Sequence, residues 1–331
     1  MKIIIDAFGG DNAPLEIIKG SALSVKELGA EIILTGSEAT IRQVAQENNI
    51  SLDNIEIVDC DQVITMEDDP LAIRKDKKNS SMAVGFKLLN EGRGQAFISC
   101  GNSGAMCVGA TMLAGRIKGI KRTAFAPVLP TESGMFMLLD GGANVDARPE
   151  MLCQFALMGS VYMEKVMKVQ NPRVGLANVG VEEHKGNELY QQTYKMLKES
   201  KLNFVGNVEG RDIPKGVCDV VVCDGFTGNL ILKTYEGVAI TLMKKIKHMF
   251  TDSTKGKLAA VLTMSDIKEL KAKFDYNKYG GAPILGSSKP VFKAHGDSKA
   301  ITLKNAVELS MNYVSGNAIG EISATLAAEG S

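Results

Sequence analysis

The chain has no net charge: its 38 Lys and Arg residues are matched by 38 Asp and Glu. That balance argues against general nucleic-acid binding, which needs a basic surface to neutralise phosphates. Recognition of an acidic partner is left to a local patch. The cysteines at 60, 100, 107, 153, 218 and 223 include no CxxC pair and no close Cys/His cluster. Neither a disulfide framework nor a bound metal is expected, and the thiols read as buried and reduced in a cytosolic protein. No uninterrupted apolar run approaches a membrane span. The opening Met1-Lys2-Ile3-Ile4-Ile5-Asp6 turns polar too soon for a signal-peptide core. A cytosolic protein, or one resting peripherally on a membrane, is therefore expected. There is no GxSxG elbow to carry a serine nucleophile. No GxGxxG with an acid on the following strand marks a dinucleotide site.

What is present is a chain of 331 residues, 45% hydrophobic, with 34 glycines and 9 prolines. Short β-rich runs recur, each leading into a glycine loop and then a helical pattern. Residues 2–6 precede a loop at 7–13, with Pro14 where a helix can start. Residues 32–35 precede a helix over 38–48, and 96–100 precede one over 105–118. Residues 136–140, 173–178 and 219–223 read as further strands, the last two followed by helices over 188–200 and 229–250. This alternation predicts an α/β fold: a mainly parallel sheet with helices on both faces. Val220-Val221-Val222 and residues 136–139 are continuously apolar, as buried parallel strands are. No repeat, low-complexity tract or linker divides the chain, so residues 1–331 read as one α/β unit about a cleft.

Ligands of such sheets bind at the carboxyl ends of the strands, where these glycine loops fall. Gly101-Asn102-Ser103-Gly104 opens a helix whose free N–H groups attract anions, or is simply a Ser-capped turn. Asp224-Gly225-Phe226-Thr227-Gly228-Asn229 has the same layout and the same two explanations. Residues 180–187 place Glu182, Glu183, His184 and Lys185 in one loop after a strand. A run of charges is usually solvated, but its position suits phosphate binding or oxyanion stabilisation. Near the end come residues 279–286, with three glycines and Pro283, and then Lys293-Ala294-His295-Gly296; His295 is structural or catalytic. Cys100, in an apolar strand, reads as core before nucleophile. With no activated nucleophile, direct attack by phosphate on a thioester needs only positioning and an oxyanion site.

Taken in order, these segments resemble the bacterial phosphate acyltransferase family, the acyl-carrier-protein:phosphate transacylases. The resemblance rests on residues 5–11, 73–75 with 77–81, 100–106, 140–144, 178–187, 206–212, 224–229, and 279–286 running on to His295. Two departures are Val181, where an acid is expected, and Lys75-Asp76, which interrupts a basic run. The resemblance implies a Rossmann-like three-layer α/β/α sandwich akin to phosphate acetyltransferase and the isocitrate dehydrogenase-like group. It implies a long-chain acyl donor on acyl carrier protein, inorganic phosphate as acceptor, and no organic cofactor. A homodimer on an anionic membrane surface is implied, with its acyl-phosphate passed to a membrane glycerol-3-phosphate acyltransferase for phospholipid synthesis. A coenzyme A-dependent short-chain phosphotransacylase and a nicotinamide-dependent dehydrogenase of the related fold are the competing functions.

The site expected on this basis has His184 as proton handler, Lys185 for charge stabilisation and Asp224 as a third catalytic group. Asn102, Ser103, Gly104, Asn187, Thr227 and Asn229 are expected to bind substrate. Arg74, Lys75, Lys77 and Lys78, with Arg116, Lys118, Lys121 and Arg122, are candidate docking cations for the acidic carrier. Val238, Leu242, Ile246 and Phe250, then Ile267, Leu270 and Phe274, form apolar stripes among lysines. They suggest a protruding helical hairpin over about 238–275 that meets a second copy. Residues 258–262, between Lys255/Lys257 and the second stripe, are expected at its tip, on the membrane.

Overall fold

Three isoleucines at the start sort the interior. In β1 (Lys2–Asp6) Ile3 and Ile5 join one hydrophobic cluster and Ile4 another, because alternate strand residues face opposite sides. The computed structural model describes residues 1–273 and 280–329, with the side chains of 270–273 and 329 left out.

The first sheet gathers β1, β2 (Glu31–Thr35), β3 (Ile55–Val58), β4 (Ala96–Ser99), β5 (Ala124–Phe125), β11 (Ala282–Leu285) and β12 (Val291–Lys293). Its order is β3-β2-β1-β4-β12-β11-β5, parallel from β3 through β12 and antiparallel at β11. Helices α1 (Leu15–Leu28) and α9 (Ala300–Ser315) cover the Ile3/Ile5 face through Ile17, Ile18, Leu303 and Val307. Helices α3 (Ser81–Asn90) and α4 (Ser103–Met112) cover the Ile4 face through Met82, Phe86 and Met106. The second sheet, in the order β6-β7-β10-β8-β9, is β6 (Val128–Pro130), β7 (Met135–Leu139), β10 (Val220–Val222), β8 (Val174–Asn178) and β9 (Phe204–Glu209). Only β6 runs antiparallel. It lies between α5 (Pro149–Lys165) with α6 (Glu188–Glu199) on one face and α7 (Gly225–Thr251) on the other. The strands thus form two sheets, mostly parallel, in a layered α/β arrangement.

One core runs beneath both sheets. Phe292 of β12 meets Tyr313 of α9 edge-on at 5.3 Å between ring centroids, and Tyr313 lies 5.9 Å from Tyr162 of α5. Such aromatic pairs add to what their buried area contributes.

The helix expected over 105–118 stops at Met112. Beyond it, Ile117 donates its N–H to the Gly286 carbonyl at 3.0 Å, and Ser288 donates to Gly115 at 2.9 Å. The chain there is drawn onto the end of β11 instead of continuing the helix. The expected helix over 229–250 starts earlier, at Gly225, because Asp224 caps it.

Helix α7 turns at Asp252 and Ser253 into α8 (Thr254–Lys273), and α10 (Ala318–Glu329) closes the chain. Residues 258–262, expected at the connection, lie inside α8. The turn sits earlier because the Ser253 hydroxyl accepts the Gly256 N–H at 2.9 Å and restarts the helix. Val238, Leu242, Leu258, Val261 and Leu262 are all exposed on this pair of helices. The side chains of Leu270, Lys271 and Lys273, and residues Phe274 and Tyr279, lie outside the described residues. Among the described residues no helix is long and apolar enough to cross a membrane.

Candidate active site

The loops leaving β1, β4 and β12 face those leaving β7 and β10 across a cleft of about 960 Å³. On the first wall, buried Asp6 at the end of β1 is the anchor. Ser99 donates its hydroxyl to Asp6 Oδ2 at 2.7 Å and accepts the Gly101 N–H at 3.0 Å. The loops after β1 and β4 are thereby locked together. A Cβ on Gly9 would come within 2.6 Å of the Gly101 nitrogen, so no larger residue fits there. Burial pushes the Asp6 carboxyl above the usual carboxylate range, with hydrogen bonds from the Ser99 hydroxyl and the Phe8 N–H opposing it.

Asn102 caps α4, its Oδ1 accepting the Ala105 N–H at 3.0 Å. Its Nδ2 donates to the Thr65 carbonyl at 3.1 Å and the Asp68 carbonyl at 3.2 Å. The amide is thus committed to holding the loop, and Ser103 and Gly104 are what the first turn of α4 presents to the cleft. The N-terminus of this ten-residue helix favours negative charge.

The second wall is built on buried Asp140. Its Oδ1 accepts N–H groups of Phe125, Gly142 and Ala143 at 3.0–3.2 Å. Its Oδ2 accepts the Asn144 backbone N–H at 2.6 Å and side-chain amide at 2.8 Å. Loop 140–144 is folded around one carboxylate and brought against Asn229 of α7. Gly142, at φ +133, places its Cα where an added Cβ would meet Asn229 Cβ at 3.2 Å. Met66, Val108, Met112, Phe125 and Val128 give the cleft a long apolar side. Cys107 also lines it, but burial pushes this thiol up to about 12. The Cys100 thiol is raised to about 11 by burial. Both are protonated near neutrality and are poor nucleophiles.

At the end of β12 the cleft is charged. Lys293, His295 and Asp297 face Lys233 and Glu236 of α7, with Asp11 nearby. Glu236 Oε2 lies 2.8 Å from Lys233 Nζ and Oε1 lies 3.5 Å from His295 Nε2. The Glu236 hydrogen bond raises the His295 pKa, against the effect of burial.

Residues 1–320 match the family described as "Fatty acid synthesis protein". A phosphate acyltransferase from Caldanaerobacter subterraneus subsp. tengcongensis is 48% identical over 323 residues, which is 97% of this chain and 96% of that protein. The chain belongs to the phosphate acyltransferase family. A second phosphate acyltransferase, from Clostridium acetobutylicum, is 46% identical over 327 residues, 98% and 99% of the two chains. A phosphotransacetylase from Streptococcus pyogenes superimposes with a TM-score of 0.62 over 95% of this chain and 94% of its own, at 16% identity. A branched-chain phosphotransacylase from Enterococcus faecalis gives 0.57 over 95% and 99%, at 14%. At those identities the structural likeness shows the α/β fold alone. The family makes the chain an acyltransferase enzyme.

Of the residues expected to act, Ser103, Gly104 and Asn229 line the cleft. Asp224 caps α7: its Oδ1 accepts the Thr227 N–H at 2.8 Å, and its Oδ2 accepts the Thr227 and Tyr190 hydroxyls at 3.0 and 2.6 Å. Asn187 caps α6 by accepting the Tyr190 N–H at 3.3 Å. His184 is exposed and Lys185 half-buried in the loop after β8. That loop stands one strand beyond β10, about 5 Å further along the same rim by strand spacing. Lys77, one of the docking cations, is engaged instead with Asp68 at 2.5 Å and the Val63 carbonyl at 2.8 Å. Lys293, Lys233 and Glu236 were given no role from sequence. The placing of Lys293 two residues before His295 is the signal that could have found Lys293; none marks Lys233 or Glu236.

Proposed function

We propose that the enzyme transfers a long-chain fatty acyl group from acyl carrier protein to inorganic phosphate, giving an acyl-phosphate for phospholipid synthesis. The observation that carries this is the cleft's two-sided chemistry. One end offers a helix N-terminus and cations suited to phosphate, and the rest is an apolar wall suited to a hydrocarbon chain. Ser103, Gly104 and Asn229 bind the reacting groups. Lys185 approaches from the neighbouring strand end, its four-methylene side chain long enough to span one strand spacing, and stabilises the developing oxyanion. A donor of that kind supplies roughly 3–4 kcal/mol. With the cleft thiols protonated, phosphate attacks the thioester carbon directly.

In the same proposal the carrier docks on Arg74, Lys75 and Lys78 and on Arg116, Lys118, Lys121 and Arg122, all exposed. The exposed apolar residues of α7 and α8 serve a homodimer contact and the anionic inner face of the cell membrane. Lys244, Lys245, Lys247, Lys255 and Lys257 provide the basic rim such a surface needs. A membrane glycerol-3-phosphate acyltransferase then receives the product.

Incubating the protein with phosphate and, in parallel, acyl carrier protein thioesters, coenzyme A thioesters or NAD with a hydroxy acid tests the assignment. Acyl-phosphate from the carrier thioester in preference to the others supports it. Turnover confined to short coenzyme A thioesters would replace it with the phosphotransacylase alternative, and NAD reduction with a dehydrogenase.

A further inference from the structure

Lys293 ends β12 and His295 follows two residues on, and both line the cleft. Lys293 is only 6% exposed. Its Nζ donates to the Cys100 carbonyl at 3.2 Å and to the Ala294 carbonyl. Among the described residues no carboxylate forms an ion pair with it. An ammonium held out of water without a counter-ion is costly, and burial accordingly pulls its pKa down. An anion entering the cleft beside it removes that cost. The N-terminus of α4, with Ser103 and Gly104, faces the same space.

His295 is set for proton traffic beside that anion position. Its Nδ1 lies 2.7 Å from Asp297 Oδ1, and its Nε2 lies 3.5 Å from Glu236 Oε1. The charged groups facing it are Asp297 from its own loop, Glu236 with its partner Lys233 from α7, and Lys293 from β12. Asp11, of the loop after β1, lies behind Gly296. Of the three histidines, at 184, 248 and 295, His295 is the one in the cleft.

Resting on the assignment of phosphate acyl transfer above, we infer that Lys293 binds the attacking hydrogenphosphate and that His295 carries its proton to the departing thiolate. The step balances. An oxygen of hydrogenphosphate forms a bond to the thioester carbon, and the carbon–sulfur bond breaks with its electron pair leaving on sulfur. Acylation makes the remaining phosphate O–H more acidic, and its proton passes to His295 Nε2 and then to the thiolate. The products are the acyl-phosphate dianion and the free thiol of the carrier. Glu236 is a positioning residue that sets the pH at which His295 can accept the proton.

Two kinds of measurement test this. In kinetics, Lys293→Met, which fills the same volume without the charge, should raise the KM for phosphate at least tenfold and leave the KM for the acyl donor within twofold. His295→Gln should lower kcat at least tenfold. Glu236→Gln should move the acid limb of the kcat profile to lower pH, since removing the carboxylate removes what stabilises the imidazolium. Titration of phosphate itself is common to every variant and does not move. In the wild-type protein, the imidazole NMR signals of three histidines report binding without turnover. Inorganic phosphate alone should shift the His295 signal, identified by its loss in His295→Gln, and leave those of His184 and His248 in place. An unchanged phosphate KM in folded Lys293→Met, an acid limb unmoved by Glu236→Gln, or a shift at His184 in place of His295 would each overturn the inference. If Lys293→Met does not fold, the NMR titration decides alone. If phosphate shifts His295 but no thioester yields acyl-phosphate, the phosphate site stands and the assigned reaction falls.

Discussion

The Tyr190 phenol donates its hydrogen to the Asp224 carboxylate across 2.6 Å, tying helix α6 to the cap of α7. Asp224 is buried, and its other contacts are the backbone and hydroxyl of Thr227, so the carboxylate is fully employed in fixing where α7 begins. Since α7 carries Asn229, Lys233 and Glu236 into the cleft, the pair sets the position of one wall. Tyr190→Phe removes one bond to a buried charge and should lower stability by about 1–3 kcal/mol in denaturant unfolding. An unchanged midpoint would show that the carboxylate does not depend on this bond and is free for chemistry.

Much of this was legible in the sequence, for physical reasons. Residues 136–139 and 220–222 are continuously apolar because parallel strands covered on both faces must be, and the glycine loops mark strand ends because helix starts need caps and close approach. The division into two sheets was not legible, since it depends on which strands pair across long separations. The position of 258–262 was misjudged because an apolar run says nothing about where a turn falls. The stop signal was the short polar pair Asp252 and Ser253. The charged end of the cleft was hidden for a similar reason: Glu236 and His295 are 59 positions apart, and only the fold sets them side by side.

Lys185 tests the reach of the loop after β8. Lys185→Ala should lower kcat by roughly 10²–10³ at saturating phosphate, the loss expected of a missing oxyanion donor. Near-normal turnover would remove the lysine from the site and leave Lys293 as the cation at the reacting groups.

The basic rim is tested by charge reversal away from the cleft's chemistry. Arg74→Glu with Lys78→Glu should raise the apparent KM for the acyl carrier several-fold and flatten its dependence on salt, with the KM for phosphate unchanged. Surface charges of this kind act mainly on encounter rates. An unaltered carrier KM after reversal of every exposed patch would exclude electrostatic docking. Lys77 is a poor choice for that experiment, because its reversal also places a like charge beside Asp68.

The exposed helical pair is tested on vesicles. Leu258→Asp with Val261→Asp, on the exposed side of α8, should release the protein from anionic liposomes and preserve acyl-phosphate formation in solution. Undiminished sedimentation with the vesicles would show that this part of α8 is not the anchor.

The central claim is direct transfer from a carrier thioester to phosphate, and a single-turnover experiment addresses it. Enzyme in excess is mixed with acyl carrier protein bearing a radiolabelled acyl chain, with and without phosphate, and quenched over time. Acyl-phosphate should appear only with phosphate, in step with thiol release, with no label on the protein, and the same in a Cys100→Ser, Cys107→Ser variant. Label on the enzyme, or thiol released at the same rate without phosphate, would contradict the account.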